Sequence, residues 1–339
     1  MCSSRLRKKE EDVMINRRWF LGAALGAPAL AAGLAHAQEA YPAKSVQLVI
    51  PFAAGGPTDL LGRLVAQNLS EAWGKPVVAD NRPGASGSLG SEIVARAAPD
   101  GYTLVLGNSA SHSAYQLLNP KSATYDGLKD FTPIALVATE PLILMARVDL
   151  GFKNINDIIA FAKANPGKLS FATAAVGSSA HLAFEAFLQS QGLEMLNVPF
   201  TGAGPASQAV LSGAVDLNMV GVSNMTAMVG SGKAVAIGVL APERLKGAPD
   251  VPTIREQGVD LVFGSWYGVF GPAGLPDAIA DRIHGDINRT FGTEAAAEKL
   301  NNLGFELLLR SRPEFTTYVE EYRERIARVI ADSGMQVEN

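Results

Sequence analysis

The 339-residue sequence holds one cysteine, Cys2. Once the N-terminal segment discussed below is removed, none is left, which excludes disulfides, thiolate metal sites and cysteine nucleophiles together. Charge is sparse too. Lys, Arg, Asp and Glu supply 18% of the residues, with a formal net charge of −4. No long basic run appears, so nucleic acid is not an expected partner. Beyond residue 37 only His112, His181 and His284 remain, far apart and without metal-ligand spacing. Neither a metal site nor a cofactor is expected. Several enzyme signatures are missing. No Gly-x-Ser-x-Gly elbow occurs. Gly230-Ser231-Gly232-Lys233 lacks the earlier glycine and the following Ser/Thr of a P-loop. Gly202-Ala203-Gly204-Pro205-Ala206-Ser207 lacks the third glycine of a dinucleotide fingerprint. No catalytic residue is assigned.

What is present is apolar. Hydrophobic residues make up 47% of the chain, enough for a well-packed core and too many for disorder. The length suggests one large domain or two medium ones. Asn16-Arg17-Arg18-Trp19-Phe20-Leu21 reads as a twin-arginine export signal. An Ala-rich apolar run follows from Trp19 to Ala35 and ends in the small-x-small pattern Ala35-His36-Ala37. Cleavage after Ala37 is expected, giving a mature chain from Gln38 in the periplasm; a retained membrane anchor is the other reading of the same run. Met14 is an alternative start. Removal of residues 1–37 takes away six of 29 basic and three of 33 acidic residues, leaving −7. No second apolar run is long enough to span a bilayer.

In the mature chain, strand-like and helix-like stretches alternate. Ser45–Phe52 is a β-rich run ending at a Gly-Gly turn, and Leu60, Leu61, Leu64, Val65, Leu69, Ala72 and Trp73 then follow at helical spacing. The pattern restarts with a helix over Ile155–Ala164, a strand over Leu169–Thr173 and a helix over Ser179–Gln189. A strand follows over Met195–Phe200 and a helix over Pro205–Leu211. Repeated β-α-β units predict an α/β architecture with mostly parallel strands. Two such blocks, about 38–138 and 140–264, suggest two lobes, with the C-terminal helices returning to the first. Ser311 and Glu314 fit a capping box, and Phe315, Val319, Tyr322, Ile326, Val329 and Ile330 form one apolar stripe behind it.

Ligands of open α/β sheets bind at strand carboxyl ends beside helix N-termini. Three such turns here are glycine-rich and nearly uncharged. Pro51–Asp59 (PFAAGGPTD) lets backbone N–H groups approach a ligand closely, and its helix starts at Gly56 with Pro57 at N1 or at Thr58. Asp59 serves either the ligand or the helix dipole. Val176–His181 (VGSSAH) offers Ser178 or Ser179 as cap or anion donor, with His181 one turn in. Phe200–Ser207 (FTGAGPAS) places Pro205 as an N1 proline. With no Lys or Arg in these turns, an anion would be held by backbone dipoles, hydroxyls and water, which suits a small carboxylate better than a polyphosphate.

In this order, Val49–Asp59 (VIPFAAGGPTD), Asn81–Gly90 (NRPGASGSLG), Pro99–Leu104 (PDGYTL) and Asp130–Ile134 (DFTPI) resemble the substrate-binding proteins of tripartite tricarboxylate transporters, the Bug family. Gly177–Leu182 (GSSAHL), Val198–Pro205 (VPFTGAGP), Pro249–Thr253 (PDVPT) and Ser265–Pro276 (SWYGVFGPAGLP) extend the likeness to about residues 42–335. The resemblance implies a two-lobed periplasmic-binding-protein fold of type II. Its two α/β lobes, 38–138 plus 265–339 and 139–264, are joined by crossing hinge strands around the ligand cleft. It implies a carboxylate (a di- or tricarboxylate, acidic amino acid or aromatic acid) held for uptake or sensing. By motif it points to Phe52, Ala53, Gly55, Gly56, Thr58, Asp59, Ser178, His181, Gly202 and Pro205, with Asn108 and Ser109 as further candidates. Membrane subunits of such a transporter, or a membrane sensor, would be partners of a monomer. The sequence departs from the family at Asn218–Asn224, where Asp-Asn is common, and at Ser86, which replaces a common glycine. The alternative is an exported α/β hydrolase-like enzyme using His181 and a nearby serine.

Overall fold

The computed structural model describes residues 41–200 and 202–333. The expected export signal and its cleavage site at Ala37 lie outside the described residues. The apolar run after Ser45 forms β1 (Val46–Ile50), and the periodic stretch behind the Gly-Gly turn forms α1 (Pro57–Trp73). Then follow β2 (Val77–Asn81), α2 (Ser88–Ala95), β3 (Thr103–Asn108), the short α3 (Tyr115–Leu118) and β4 (Phe131–Pro141). After a single intervening residue, Leu142, the chain enters a different sheet at Ile143. There it forms β5 (Ile143–Arg147), α4 (Ile155–Ala164), β6 (Ser170–Thr173), α5 (Ser179–Gln191) and β7 (Leu196–Pro199). Next come α6 (Ala203–Leu211), β8 (Leu217–Val220), α7 (Val222–Gly230) and β9 (Ala234–Val239). The chain returns to the first sheet as β10 (Gly264–Pro272), followed by α8 (Asp277–Phe291), α9 (Glu294–Asn302), β11 (Glu306–Leu307) and α10 (Arg312–Ser333).

The strand orders are β11-β4-β10-β3-β1-β2 and β7-β6-β8-β5-β9. Both sheets are mixed, which corrects the expectation of mostly parallel strands. The β-α-β units do give parallel pairs, β1 with β2 and β3, and β6 with β7 and β8. The strands that carry the chain between sheets run antiparallel to them: β10 against β3 and β4, and β5 against β8 and β9. The result is a two-lobed α/β fold, each lobe built on one sheet. The sheet changes between Pro141 and Ile143 and again between Val239 and Gly264, so the first-lobe strands reach a few residues past position 138. The two crossings hold each other through Leu240 N–H to Leu142 O (2.8 Å) and Leu142 N–H to Phe263 O (3.4 Å), and the second is closed on itself by Phe263 N–H to Leu240 O (2.9 Å).

The C-terminal helix behaves as its sequence predicts. Ser311 N–H donates to Glu314 Oε2 at 2.9 Å, and the stripe from Phe315 to Ile330 is buried. α10 packs on β4 and also on α5 of the second lobe. Gly268 on β10 leaves the space that the Phe315 ring occupies; a Cβ there would collide with it. Pro205 is not the first helical residue. α6 starts at Ala203 behind Gly202, and the proline stands at the third position, where its missing N–H still costs no helical hydrogen bond.

Candidate functional site

Helix starts from both lobes converge on one cleft of about 870 Å³. The first lobe contributes Phe52–Thr58 from the turn into α1, with Ser86, Asn108 and Tyr115 beside it. The second contributes Ala174–Ser178 before α5, Gly202–Gly204 at the start of α6, and Asn224 in the first turn of α7. None of the described lining residues is charged. The field in the cleft is therefore set by unpaired N–H groups and the positive ends of helix dipoles. Each lobe places one side-chain hydroxyl of a helix start on the cleft wall, Thr58 from the first and Ser178 from the second. Thr58 Oγ1 accepts from Asn108 Nδ2 at 3.2 Å, and Ser178 Oγ accepts from the His181 N–H at 3.3 Å. Each is braced from behind as an acceptor, which leaves its own O–H to donate into the cleft.

The turn before α1 takes its shape from Gly55, at φ 85°, a conformation that favours glycine. Asp59 closes it. Its Oδ2 accepts the Gly55 N–H at 2.9 Å and Arg63 Nε at 3.0 Å, and its Oδ1 accepts Asn81 Nδ2 at 2.9 Å. Burial alone would raise the Asp59 pKa, but the bonds from Arg63, Gly55 and Asn81 outweigh it and hold the carboxyl below its usual value. Asp59 is thus turned away from the cleft, correcting its expected place among the lining residues. Asn108 both supports Thr58 and caps the turn after β3, its Oδ1 accepting the Ala110 and Ser111 N–H groups.

His181 is also behind the wall. It is buried, and its Nδ1 accepts the Gly177 N–H at 3.0 Å. The ring proton then sits on Nε2, with Glu185 Oε1 at 3.4 Å as its acceptor and the side-chain amide of Asn197 packed 2.8 Å from the same nitrogen. With both ring nitrogens engaged and no serine hydroxyl on either, His181 is not arranged as a general base. His112 does have a serine hydroxyl on Nδ1, Ser111 Oγ at 2.9 Å, but the pair is fully buried and outside the cleft. The His112 ring is stacked on Phe270 at 4.3 Å between ring centroids, and burial depresses its pKa to about 3. Of the sequence-derived candidates, Phe52, Ala53, Gly55, Gly56, Thr58, Asn108, Ser178 and Gly202 line the cleft. Asp59, His181 and Pro205 do not. Ser109 lines a smaller chamber of about 180 Å³ that continues from the cleft, the two sharing Asn108, Ser178 and Asn224 among their walls.

Sequence reasoning missed Tyr115 and Ala174 in the cleft, and Glu140, Ser265 and Tyr267 in the chamber; Ser86, Phe200 and Asn224 stand in stretches that it singled out without naming them as site residues. Ser86 carried a signal: it stands between Gly84 and Gly87 where the family commonly has a glycine, and it sits at φ 54°, beside Ala85 at φ 45°. Glu140 carried another, as an isolated acid within the apolar run from Ile134 to Met145.

The family model described as "Tripartite tricarboxylate transporter family receptor" matches residues 61–335. The protein BugT of Bordetella pertussis is 32% identical over 300 residues, covering 88% of this chain and 92% of its own. Among solved structures, Rpa4515 of R. palustris with adipate has a TM-score of 0.80 at 31% identity, covering 87% of this chain and 98% of that one. MatC (Rpa3494) from Rhodopseudomonas palustris with bound malate has a TM-score of 0.75 at 32% identity, covering 86% and 100%.

Proposed function

The chain belongs to the tripartite tricarboxylate transporter family of receptors, and on that premise we propose that it captures a small carboxylate between its lobes outside the cytoplasm and catalyses nothing. The observation that carries this reading is the uncharged cleft with helix starts from both lobes, lined by Thr58 of one lobe and Ser178 of the other. One carboxylate spans such a pair and meets backbone N–H groups on each side. A ligand bound by both lobes favours the closed arrangement over the open one, and the crossings at Leu142 and Leu240–Phe263 are the hinge of that motion. We take the lobes as 38–138 plus 265–339 and 139–264, adjusted at the borders to the sheet changes, where the pivot lies. Export with cleavage after Ala37 delivers the receptor to the periplasm. There the closed form is read by transporter membrane subunits or by a membrane sensor. The bound adipate and malate of the two relatives support the carboxylate class. The hydrolase alternative finds no support in the engaged ring of His181.

The test is thermal unfolding of residues 38–339 with small carboxylates and, in parallel, their neutral amides. Binding to the native state alone raises the midpoint with concentration. A shift with acids and not with amides supports the reading; shifts with neither, or with both alike, overturn it.

A further inference from the structure

The inner chamber has a chemistry of its own. The cleft is lined without charge, but the chamber wall holds Glu140, near the end of β4 and beside the crossing into the second lobe. Its side chain is 7% exposed, and among the described residues no cation pairs with it. Oε2 takes the phenol O–H of Tyr267 at 2.6 Å. Oε1 lies against Gly221, the residue before α7, and a Cβ on Gly221 would collide with it. The nearby hydroxyls are committed to one another: Ser265 Oγ donates to Ser179 Oγ at 2.8 Å, and Ser179 Oγ lies 3.1 Å from Ser109 Oγ. These three also line the chamber and link the lobes.

A carboxyl withdrawn from water without a cation is costly unless something supplies the missing partner. Here the group stands in an open chamber continuous with a cleft read above as the seat of a carboxylate. A ligand anchored there by its acid end would extend its other end toward Glu140. A second carboxylate on that end would meet like charge in a desolvated space, whereas an ammonium would complete the pair through a charge-assisted hydrogen bond.

We propose that Glu140 makes the inner chamber a selectivity subsite for a cationic hydrogen-bond donor, so that the ligand is an amino acid-like carboxylate with an ammonium at its far end rather than a dicarboxylate. The proposal rests on the carboxylate reading of the outer cleft. It places the ammonium between Glu140 and the serine hydroxyls, where Ser109 and Ser265 of one lobe meet Ser179 of the other.

Calorimetric titration at pH 8, above the Glu140 titration, with acids matched in length tests it: β-alanine against succinate, 4-aminobutyrate against glutarate, 5-aminovalerate against adipate, with propionate, butyrate and valerate as plain references. The preferred length should bind the amino member at least about tenfold more tightly than its dicarboxylate. In Glu140→Gln that ratio should fall about tenfold. Because the ratio is taken within one protein, a general loss of affinity cancels, and if the variant does not fold the wild-type ratio alone decides. Dicarboxylates bound equally or better by the wild type, or an unchanged ratio in Glu140→Gln, overturn the subsite. Binding of none of the acids, plain references included, overturns the carboxylate reading of the cleft itself and the subsite with it.

Discussion

The Gly55 N–H points at Asp59 Oδ2 across 2.9 Å, so the turn that presents backbone donors to the cleft is itself held by a carboxylate one helical turn further on. Asp59→Ala removes the acceptor for Gly55, Arg63 and Asn81 at once. Loss of buried hydrogen bonds of this kind costs about 1–3 kcal/mol. Urea unfolding should show that loss, and ligand affinity should fall with it. Unchanged stability would mean that the turn holds its shape without Asp59. Because the Asp59 pKa is lowered in the folded protein, its stabilising contribution is present above the unfolded value near 3.8 and is lost as pH falls through the folded value.

The two glycines of that turn are not equivalent. Gly55 stands at φ 85°, so any side chain strains the backbone although the space around it is open. Gly56 stands at φ −84°, and a Cβ there would meet only Ala53 O at 3.7 Å, an ordinary contact. Gly55→Ala should cost about 1–2 kcal/mol, and Gly56→Ala distinctly less. Thermal unfolding of the two variants side by side checks the order; equal losses would contradict it.

Glu140 sets a pH dependence of the opposite sign to that of Asp59. Burial raises its pKa from 4.5 to about 7, against the Tyr267 hydrogen bond, which favours the charged form. The folded state then holds the proton more tightly than the unfolded one. Its contribution is fully present below about pH 4.5 and is lost as pH rises through 7. The shift corresponds to about 3 kcal/mol. Urea midpoints between pH 5 and 8 should fall in the wild type and fall less in Glu140→Gln. Parallel curves would place the titration elsewhere.

His181→Ala should weaken the second-lobe turn, since the Gly177 N–H loses its acceptor inside the protein. About 1–3 kcal/mol of stability should go, by the same argument of an unsatisfied buried donor. Ester hydrolysis by the wild type that disappears in this variant would revive the enzyme reading; stability loss without any turnover is the expected result.

The residues that sequence reading found and the residues that it misplaced differ in a physical way. Gly-rich turns, helix starts and the α10 stripe are local patterns, and the structure places them where the spacing puts them, save that α6 begins two residues before Pro205. Whether Asp59 or His181 faces a ligand or its own loop depends on which way one side chain turns, and spacing carries no such information. Both turn inward, to the Gly55 and Gly177 N–H groups. The crossing strands were harder still. Phe131–Arg147 reads as almost continuous apolar chain, and only the pairing of β4 with β10 and of β5 with β9 divides it between two sheets. Glu140 and Tyr267 meet through that pairing, 127 residues apart in the chain.

The central claim is that one carboxylate binds between the lobes, and calorimetric titration of residues 38–339 beside an Ala203→Trp variant tests it most directly. Ala203 opens α6 on the cleft wall and is exposed, so a Trp there fills the cleft without disturbing the core. The account predicts a 1:1 isotherm for at least one small carboxylate with the wild type, and none with the folded variant. Equal binding by both proteins would put the ligand somewhere other than this cleft.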